Sequence, residues 1–279
     1  MRAGRAAGMD TEMVVMADNG RTATYTAFLD SDGDCKFGVG DMDIHSMISP
    51  EYLRSKEAEL AKSEMLICDG NLSESSIHTL MEICNKHSVP FFFDPADLSK
   101  ATKPLTSTNI RSVSFYSSPN LNELNSMLST LPSSIPAITS ITAVNVGEKV
   151  VEIAEASKQL LEHYNMTLLL VTLSEHGVVI VRKGRPEDPL MTSSMTTGVS
   201  GVWYPCSDPC TQVVSVSGAG DCLTAGFITA ALQGRDQASA VSGGMQAARL
   251  SCSVSAAVPD NMRLEDIDWT RPADKMILF

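Results

Sequence analysis

The stretch that decides the fold is VSVSGAGDCLTAGF, residues 214–227. It joins an apolar, strand-like run to an apolar, helix-like run through two glycines around an alanine, followed at once by Asp221. A helix that begins on such a turn leaves its first N–H groups without intrahelical partners, and the helix dipole adds partial positive charge there. Because Gly218 and Gly220 carry no side chain, an anion can approach these amides closely.

These residues leave two interpretations of the motif open. An aspartate in the first turn of a helix is favoured by capping alone, which predicts an ordinary strand-to-helix turn. Alternatively, the amides of Gly218, Ala219 and Gly220 form an anion hole for a phosphoryl group, and Asp221 accepts the proton of an attacking hydroxyl. No Gly-Lys-Ser/Thr follows and the motif comes late in the chain, so it is neither a Walker loop nor a dinucleotide fingerprint.

Short apolar segments alternate with helix-like segments on both sides of this motif. The alternation predicts an α/β fold with a mostly parallel sheet covered by helices on both faces. The predicted strands are 65–69, 89–95, 112–118, 167–173 and 177–184, and the predicted helices are 51–63, 73–87, 120–128, 149–164, 219–233 and 236–252. Residues 129–142 and 184–212 are rich in Pro, Ser or Thr and are predicted to be irregular.

Residues 22–40, TATYTAFLDSDGDCKFGVG, do not follow the alternating rhythm. Two half-polar, strand-like arms flank Ser31-Asp32-Gly33, and Asp-Gly favours a hairpin turn. We expect a β-flap here, with the lid at about residues 20–42, appended to a single domain that spans 1–279.

Composition narrows the classes of function. The 279-residue chain is 43% hydrophobic and carries a formal net charge of −12, which argues against a broad nucleic-acid surface. No apolar run approaches the roughly 18–20 residues that span a bilayer, so we expect no membrane partner. We expect a cytoplasmic protein, with MRAGRAAGMD leaving a mitochondrial transit segment open. Seven scattered cysteines without zinc-site spacing predict reduced thiols.

Two further groups of polar residues follow predicted strands, where α/β sheets bind ligands. Asn120 and Glu123 form either a capping box or a site in which Asn120 reaches a phosphate oxygen and Glu123 binds Mg²⁺. Thr172 to Gly177, containing Ser174, is either a simple turn or a ligand loop. Asp94 is either a strand-end cap or a polar wall of the site.

Taken in order, these motifs resemble the ribokinase-like (PfkB) carbohydrate and nucleoside kinases over roughly residues 20–262. SVSGAGD (215–221) resembles the family's Gly-Ala-Gly-Asp motif, Asn120 and Glu123 its Asn-x-x-Glu motif, and Thr172, Ser174 and Gly177 its nucleotide loop. The resemblance implies a three-layer α/β/α fold with a β lid and ATP-dependent phosphorylation of a sugar hydroxyl. It implies that Asp221 is the base and that GGMQAARLSCSVSAAVP (243–259), with Met245, covers the nucleotide.

Within the family, TATYTAFLDSDGD, GVGDMDIH and FFFDPADLSKA look most like the pseudouridine kinases. The resemblance therefore implies pseudouridine as the acceptor, with Thr24 and Asp41 on the lid and Asp94 facing it. The alternatives are another sugar or nucleoside as acceptor, or an inactive chain that binds a nucleotide or a partner. A homodimer through the lid is a further implication.

The chain departs from the family in two places. Ser215 and Val216 replace the Asp-Thr that helps bind a monovalent cation in the family, which puts K⁺ dependence in doubt. The family's opening strand with its substrate-binding Asp, and its Gly-Gly motif, have no counterpart before the lid. We therefore expect an N-terminally shortened domain with exposed apolar surface at a sheet edge and an incomplete sugar site.

Overall fold

The computed structural model describes Gly4 and residues 8–29, 35–133, 135–191, 198–210, 212–260 and 262–279. The first strands are β1 (Thr24–Leu29) and β2 (Cys35–Asp41), which pair antiparallel in a separate two-stranded sheet. The predicted hairpin is confirmed. Its predicted turn, Ser31-Asp32-Gly33, lies outside the described residues.

The main sheet has seven strands whose spatial order follows the chain. They are β3 (Leu66–Asp69), β4 (Phe91–Asp94), β5 (Phe115–Ser117), β6 (Leu168–Thr172), β7 (Val178–Lys183), β8 (Val199–Tyr204) and β9 (Met276–Ile277). Strands β3 to β6 pair in parallel, and each later pair is antiparallel. Strands β3, β4, β5, β6 and β8 therefore run in one direction, and β7 and β9 run in the other, so the predicted mostly parallel sheet is confirmed.

Helices cover both faces of this sheet. They are α1 (Pro50–Ser55), α2 (Glu57–Leu60), α3 (Glu74–His87), α4 (Leu121–Leu128), α5 (Val146–Tyr164), α6 (Ala219–Leu232) and α7 (Gln237–Cys252). The buried side chains of α3, α4 and α5 form one core with the sheet, and those of α6 and α7 form a second. The two cores define three layers, with the sheet in the middle.

The triple phenylalanine in β4 shows why the central strands are apolar throughout. Phe91 and Phe93 pack into the core under α3 and α5, whereas Phe92 packs into the core that contains Phe227 of α6. All three rings are fully buried. Because successive side chains of a strand point to opposite faces, a strand covered on both faces needs an unbroken apolar run.

The sequence prediction was wrong over part of residues 184–212. Strand β8 forms there and pairs with β7 along its whole length, from Val199 opposite Lys183 to Tyr204 opposite Val178. The nearby prolines and glycines obscured a strand that is specified by its partner. The predicted helix at 51–63 is interrupted at Lys56, which ends α1 and precedes α2. The predicted helix at 149–164 is confirmed as α5, which begins at Val146.

Strand β3 is the outermost strand of the main sheet and pairs with β4. Its Ile67 side chain is 58% exposed, which is unusual for an isoleucine in a central α/β sheet.

Among the helices of the described residues, none combines the length and apolarity that crossing a membrane requires.

Candidate active site

The turn that begins α6 accepts only glycine at its first position. Gly218 is the N-cap residue and has φ = +81°, in the left-handed region. A Cβ atom at Gly218 would lie 1.9 Å from the carbonyl oxygen of Ala257. A Cβ at Gly220, by contrast, would meet no heavy atom within 4 Å. The first glycine therefore fixes the backbone, and the second leaves open space above the helix start.

The turn presents several free N–H groups. In the described part of the chain, no protein acceptor receives a hydrogen bond from the amides of Gly218, Gly220 or Asp221. The amide of Ala219 donates to the carbonyl oxygen of Val216 over 3.2 Å. Three donors at the positive end of a fourteen-residue helix form a backbone site for an anion. We call Gly218–Asp221 the anion cradle.

Neighbouring residues hold the cradle in place. The buried Ser215 hydroxyl accepts a hydrogen bond from the Ser217 amide at 3.1 Å, which tightens the approach to the turn. The Ser251 hydroxyl near the end of α7 lies 2.9 Å from the carbonyl oxygen of Ala257 and 3.5 Å from that of Ser217. The cradle is thus braced against α7 and the segment that follows it.

Two predicted carboxylates lie near each other beside the cradle. Asp221 is exposed in the first turn of α6, and Asp94 ends β4. The Asp94 carboxylate accepts hydrogen bonds from the Ser118 hydroxyl and the Ala96 amide, both at 3.0 Å. Burial raises the pKa of Asp94, and the charges of Asp221 and Asp69 raise it further. The carboxyl ends of β3 and β4 and the start of α6 therefore meet in one acidic region.

Asn120 and Glu123 form a complete capping box at the start of α4. The Asn120 side-chain oxygen accepts from the Glu123 amide at 3.0 Å, and the Glu123 carboxylate accepts from the Asn120 amide at 2.8 Å. The Glu123 residue is only 6% exposed. Burial raises its pKa to about 7, and the charges of Asp94 and Asp97 add to the rise. The predicted capping interpretation is therefore present in the structure, and a role in binding Mg²⁺ stays a prediction.

The third predicted motif lies directly beside this box. Asn120 and Thr172 form a parallel β-bridge, and the Thr172 amide donates to the carbonyl oxygen of Pro119 at 3.0 Å. Ser174 begins a short 3₁₀ turn with φ = +52°. Gly177 ends the turn with φ = +88°, and a Cβ there would lie 2.0 Å from the carbonyl oxygen of Tyr204. The turn is therefore tightly constrained, and only glycine fits at its end.

The remaining predicted residues lie elsewhere. Thr24 and Asp41 face each other across the base of the hairpin, and the Asp41 carboxylate forms a 2.7 Å ion pair with the exposed Arg21. Met245 lies on α7 and packs, half-buried, against the hydrophobic core under α6. The structure therefore brings together the strand-end residues and the cradle, and it places the lid residues and Met245 on other elements.

Two cavities lie along α6 and α7, and the first of them is lined in part by Asp221 of the cradle. One, of about 340 Å³, runs along α6 from Asp221 and is otherwise lined mainly by apolar side chains, including Ile267 and Trp269. The other, of about 370 Å³, lies between the residues that follow β8 and the outer side of α7. Its lining is mixed and includes Gln246 and Arg249.

Sequence reasoning missed two sets of contacts. One is the close approach of the Ala257 carbonyl to Gly218. No sequence motif predicts this approach, because it joins the backbones of two distant segments. The other is a network at the ends of β3 and β4. There the Lys100 ammonium group lies 3.0 Å from the Asn71 side-chain oxygen, and the Asn71 amide group donates to Asp69 over 2.6 Å. The polar residues Asp69 and Asn71 after strand β3 indicate such a network in the sequence. No sequence pattern identifies Lys100 as their partner.

Comparison with known proteins identifies the family. A model of the pfkB family of carbohydrate kinases matches residues 1–262, and the chain belongs to this family. It is 22% identical over 278 residues to the pseudouridine kinase of Arabidopsis thaliana, covering 88% of this chain and 71% of the relative. It is 26% identical over 247 residues to the pseudouridine kinase of Escherichia coli K12, covering 88% of this chain and 66% of that relative.

A solved structure supports the fold. The ribokinase of Arabidopsis thaliana, determined with ribose and ATP, is similar with a TM-score of 0.63 and 19% identity, over 92% of this chain and 73% of that chain. The fold is therefore a ribokinase-like α/β/α sandwich with a β-hairpin. The family and its named members indicate a phosphotransferase that acts on a sugar hydroxyl, and kinases of this family use ATP.

Proposed function

We propose that this chain transfers a phosphoryl group from ATP to the sugar hydroxyl of pseudouridine, giving pseudouridine 5′-phosphate. The observation that carries the proposal is the anion cradle, in which three unpaired amides directly adjoin the carboxylate of Asp221. A phosphoryl group and an acceptor hydroxyl need these two features side by side. The choice of pseudouridine rests on the two pseudouridine kinases among the relatives.

The cradle fits the phosphate end of ATP. Its donors are backbone amides, which keep their positive character in a chain of net charge −12. The space above Gly220 is open, so phosphate oxygens can approach without displacing a side chain. The cavity of about 370 Å³ along α7 has the size of a nucleoside site. Further nucleotide contacts in this proposal come from Asn120, Thr172, Ser174, Gly177 and Met245.

The proposed chemistry divides between the cradle and one carboxylate. When bound, ATP with Mg²⁺ supplies the phosphoryl group and an electrophilic phosphorus. Asp221 accepts the proton of the acceptor hydroxyl, and its exposure leaves room for that hydroxyl to approach. The cradle amides stabilise the negative charge that develops on the transferred group. Glu123 would bind Mg²⁺ directly or through water, and K⁺ would have to use backbone carbonyls because Ser215 offers no carboxylate.

The acceptor itself would lie between the acidic strand ends and the lid. Asp94 would accept a hydrogen bond from a sugar hydroxyl, and the raised pKa of its carboxyl reflects the same partly buried surroundings. Thr24 and Asp41 would contact the nucleoside when the hairpin closes, which would exclude water from the transferring group. Pairing of two lids would give the homodimer.

The test is turnover with a matched substitution at the base. The protein is incubated with ATP, Mg²⁺ and pseudouridine, or with uridine, ribose or adenosine, and the products are identified by mass spectrometry. We expect phosphorylated pseudouridine, and a fall in turnover of about 10²- to 10⁴-fold for Asp221→Asn with the affinity for ATP kept within about threefold. Undiminished turnover of the variant would exclude Asp221 as the base. Preference for uridine, ribose or adenosine would show that pseudouridine is not the preferred acceptor.

A second candidate is a chain that binds nucleotide but needs a partner to act. It is favoured by the exposed apolar surface on the acceptor side, where Ile67 of β3 and Phe37 of the lid are each 58% exposed. The chain spans 71% and 66% of the length of the two pseudouridine kinases it matches. Binding of ATP by calorimetry without product from any acceptor would select this candidate.

A further inference from the structure

The Asp94 carboxylate is held by one donor on each of its oxygen atoms. The Ala96 amide donates to Oδ1 and the Ser118 hydroxyl donates to Oδ2, both at 3.0 Å. Each oxygen of a carboxylate has lone pairs for about two hydrogen bonds. The two donors therefore fix the orientation of the carboxylate and leave each oxygen able to accept one more hydrogen bond.

The first donor, the Ala96 amide, belongs to a strained turn after β4. Ala96 has φ = +59°, in the left-handed region, which is costly for a residue that carries a Cβ atom. Such a conformation persists only where the surrounding structure holds it. The Asp94 carboxylate provides one such contact, because it accepts a hydrogen bond from the Ala96 amide. The carboxylate and the turn therefore hold each other.

Gly70, directly after β3, provides a second contact with this turn. Its amide donates to the backbone carbonyl of Asp94 at 2.9 Å, and a Cβ atom at Gly70 would overlap the carbonyl oxygen of Pro95. The Lys103 ammonium group donates to the carbonyl oxygens of Gly70 and Leu72, both at 2.7 Å, so the backbone at Gly70 is itself held. The absence of a side chain at residue 70 thus lets the turn pack against the end of β3.

The second donor, the Ser118 hydroxyl, comes from the neighbouring strand end. Ser118 follows β5 and is 6% exposed, so its hydroxyl is shielded from water. The adjacent Ser117 is fully buried, and its hydroxyl donates instead to the backbone carbonyl of Phe93 at 2.8 Å. Two neighbouring buried serines therefore differ in their acceptors, and Ser118 is the one that contacts the carboxylate.

We propose that Ser118 is a positioning residue for the acceptor, which together with the turn at Ala96 fixes the Asp94 carboxylate in one orientation. This inference rests on the proposed function, in which Asp94 accepts a hydrogen bond from a sugar hydroxyl. A carboxylate that is already ordered does not have to lose conformational freedom when the acceptor binds. Ser118 itself does not touch the acceptor and acts through Asp94.

The first experiment compares the two adjacent serines. We expect Ser118→Ala to raise the Michaelis constant for pseudouridine about tenfold while kcat and the affinity for ATP change by less than about threefold, since one hydrogen bond that orders Asp94 is lost. The matched control Ser117→Ala removes an equally buried hydroxyl but should leave this Michaelis constant within about twofold. An equal rise for both variants would overturn the proposal, because it would reflect a general loosening of the sheet.

The second experiment displaces the turn from its other side. The Cβ atom of Gly70→Ala must push the Pro95 carbonyl away, so this variant should also raise the Michaelis constant for pseudouridine, by about tenfold, without weakening ATP binding. The control Gly147→Ala lies at the start of α5, where a Cβ atom meets no heavy atom within 4 Å, and should change neither constant. A folded Gly70→Ala protein with the original Michaelis constant would contradict a positioning role for the turn.

The third experiment needs neither a ligand nor turnover. The carboxyl signal of Asp94 is followed against pH by NMR in protein labelled with ¹³C-aspartate, and it is assigned by its absence from Asp94→Asn. The charged groups that act on Asp94 are Asp69, Asp221 and Glu123, and all three stay in every variant. Because the Ser118 hydroxyl donates to the charged form, Ser118→Ala should raise the pKa of Asp94 further, and Ser117→Ala should leave it unchanged.

The titration also separates this inference from the proposed function. An unchanged pKa of Asp94 in Ser118→Ala would overturn the proposal, whatever the kinetics of the variant. An original chain that phosphorylates no acceptor would instead contradict the proposed function, and the titration would still decide whether Ser118 holds Asp94.

Discussion

The anion cradle and the lid hairpin are stabilised in different ways. The cradle begins a helix whose other side packs on the sheet, and it is braced by Ser215, Ser251 and the carbonyl of Ala257. The hairpin pairs two strands in a separate sheet, and its Phe28 and Phe37 rings stack at 4.2 Å while remaining largely exposed. A two-stranded sheet is marginal by itself. In the proposed function, the side that binds the phosphoryl group is thus preorganised, and the side that binds the acceptor is left for a ligand or another surface to complete.

The largest effect that tests this difference should come from the first glycine of the cradle. Gly218→Ala forces an alanine into φ = +81° and against the carbonyl of Ala257, so we expect the free energy of unfolding to fall by about 2–4 kcal/mol. Gly220→Ala should change it by no more than about 1 kcal/mol, because its Cβ meets open space. Urea denaturation measures both.

The same two variants separate structure from binding. Gly220→Ala should still weaken ATP binding, since its methyl group occupies the space above the free amides. Equal stability losses for the two substitutions would show that the cradle is not held by the contact at Ala257. If Gly220→Ala binds ATP with unchanged affinity, the phosphate does not bind in the space above residue 220.

The next effect concerns pH and the buried Glu123. Its pKa of about 7 in the folded chain lies above the ordinary 4.5, so the folded state binds this proton more tightly than the unfolded state. The contribution to stability is complete below about pH 4.5 and is lost as the pH rises through 7, by at most about 3 kcal/mol. Denaturation in metal-free buffer at several pH values measures it.

Glu123→Gln is the control, because glutamine can keep the capping hydrogen bond without titrating. The unfolding free energy of the original chain should therefore fall relative to that of Glu123→Gln as the pH rises from 4.5 to 7. A difference that stays constant over this range would show that the Glu123 carboxyl is solvated rather than buried.

A smaller effect distinguishes the two interpretations of Asn120. Asn120→Ala removes the cap of α4 and should cost about 1 kcal/mol of stability, whereas Asn120→Asp should retain the cap. If Asn120 also reaches a phosphate oxygen, the added charge of Asn120→Asp should weaken ATP binding at least tenfold. Normal ATP affinity in a stable Asn120→Asp protein would leave capping as the role of this residue.

The smallest effect on stability is expected in the lid. Phe37→Ser should change the free energy of unfolding by less than about 0.5 kcal/mol, because the ring is 58% exposed and stacks on another exposed ring. The Michaelis constant for the acceptor should rise while that for ATP stays the same. A loss of stability comparable with that of Gly218→Ala would show that the lid is part of the folded core.

Much of the architecture was predictable because it depends on patterns of apolar and polar residues within short stretches of sequence. Helix α5, the apolar strand β4 and the hairpin of β1 and β2 were all predicted from the alternation of apolar segments or from strand propensity. Strand β8 was not, because its assignment depends on β7 rather than on its own residues. The motifs of the candidate site were found for the same reason as the helices, since each consists of residues close together in sequence.

The sequence by itself determined that a glycine turn precedes a helix and an aspartate, that Asn120 and Glu123 sit at a helix start, and that these motifs resemble one kinase family. Backbone conformation and capping depend on neighbours along the chain, so short stretches of sequence suffice for them. Only the tertiary structure decided which amides stay free, that Ala257 fixes Gly218, and that Asp94 and Asp221 lie near each other. These properties depend on contacts between segments far apart in sequence, and such contacts form only when the sheet and its helices pack together.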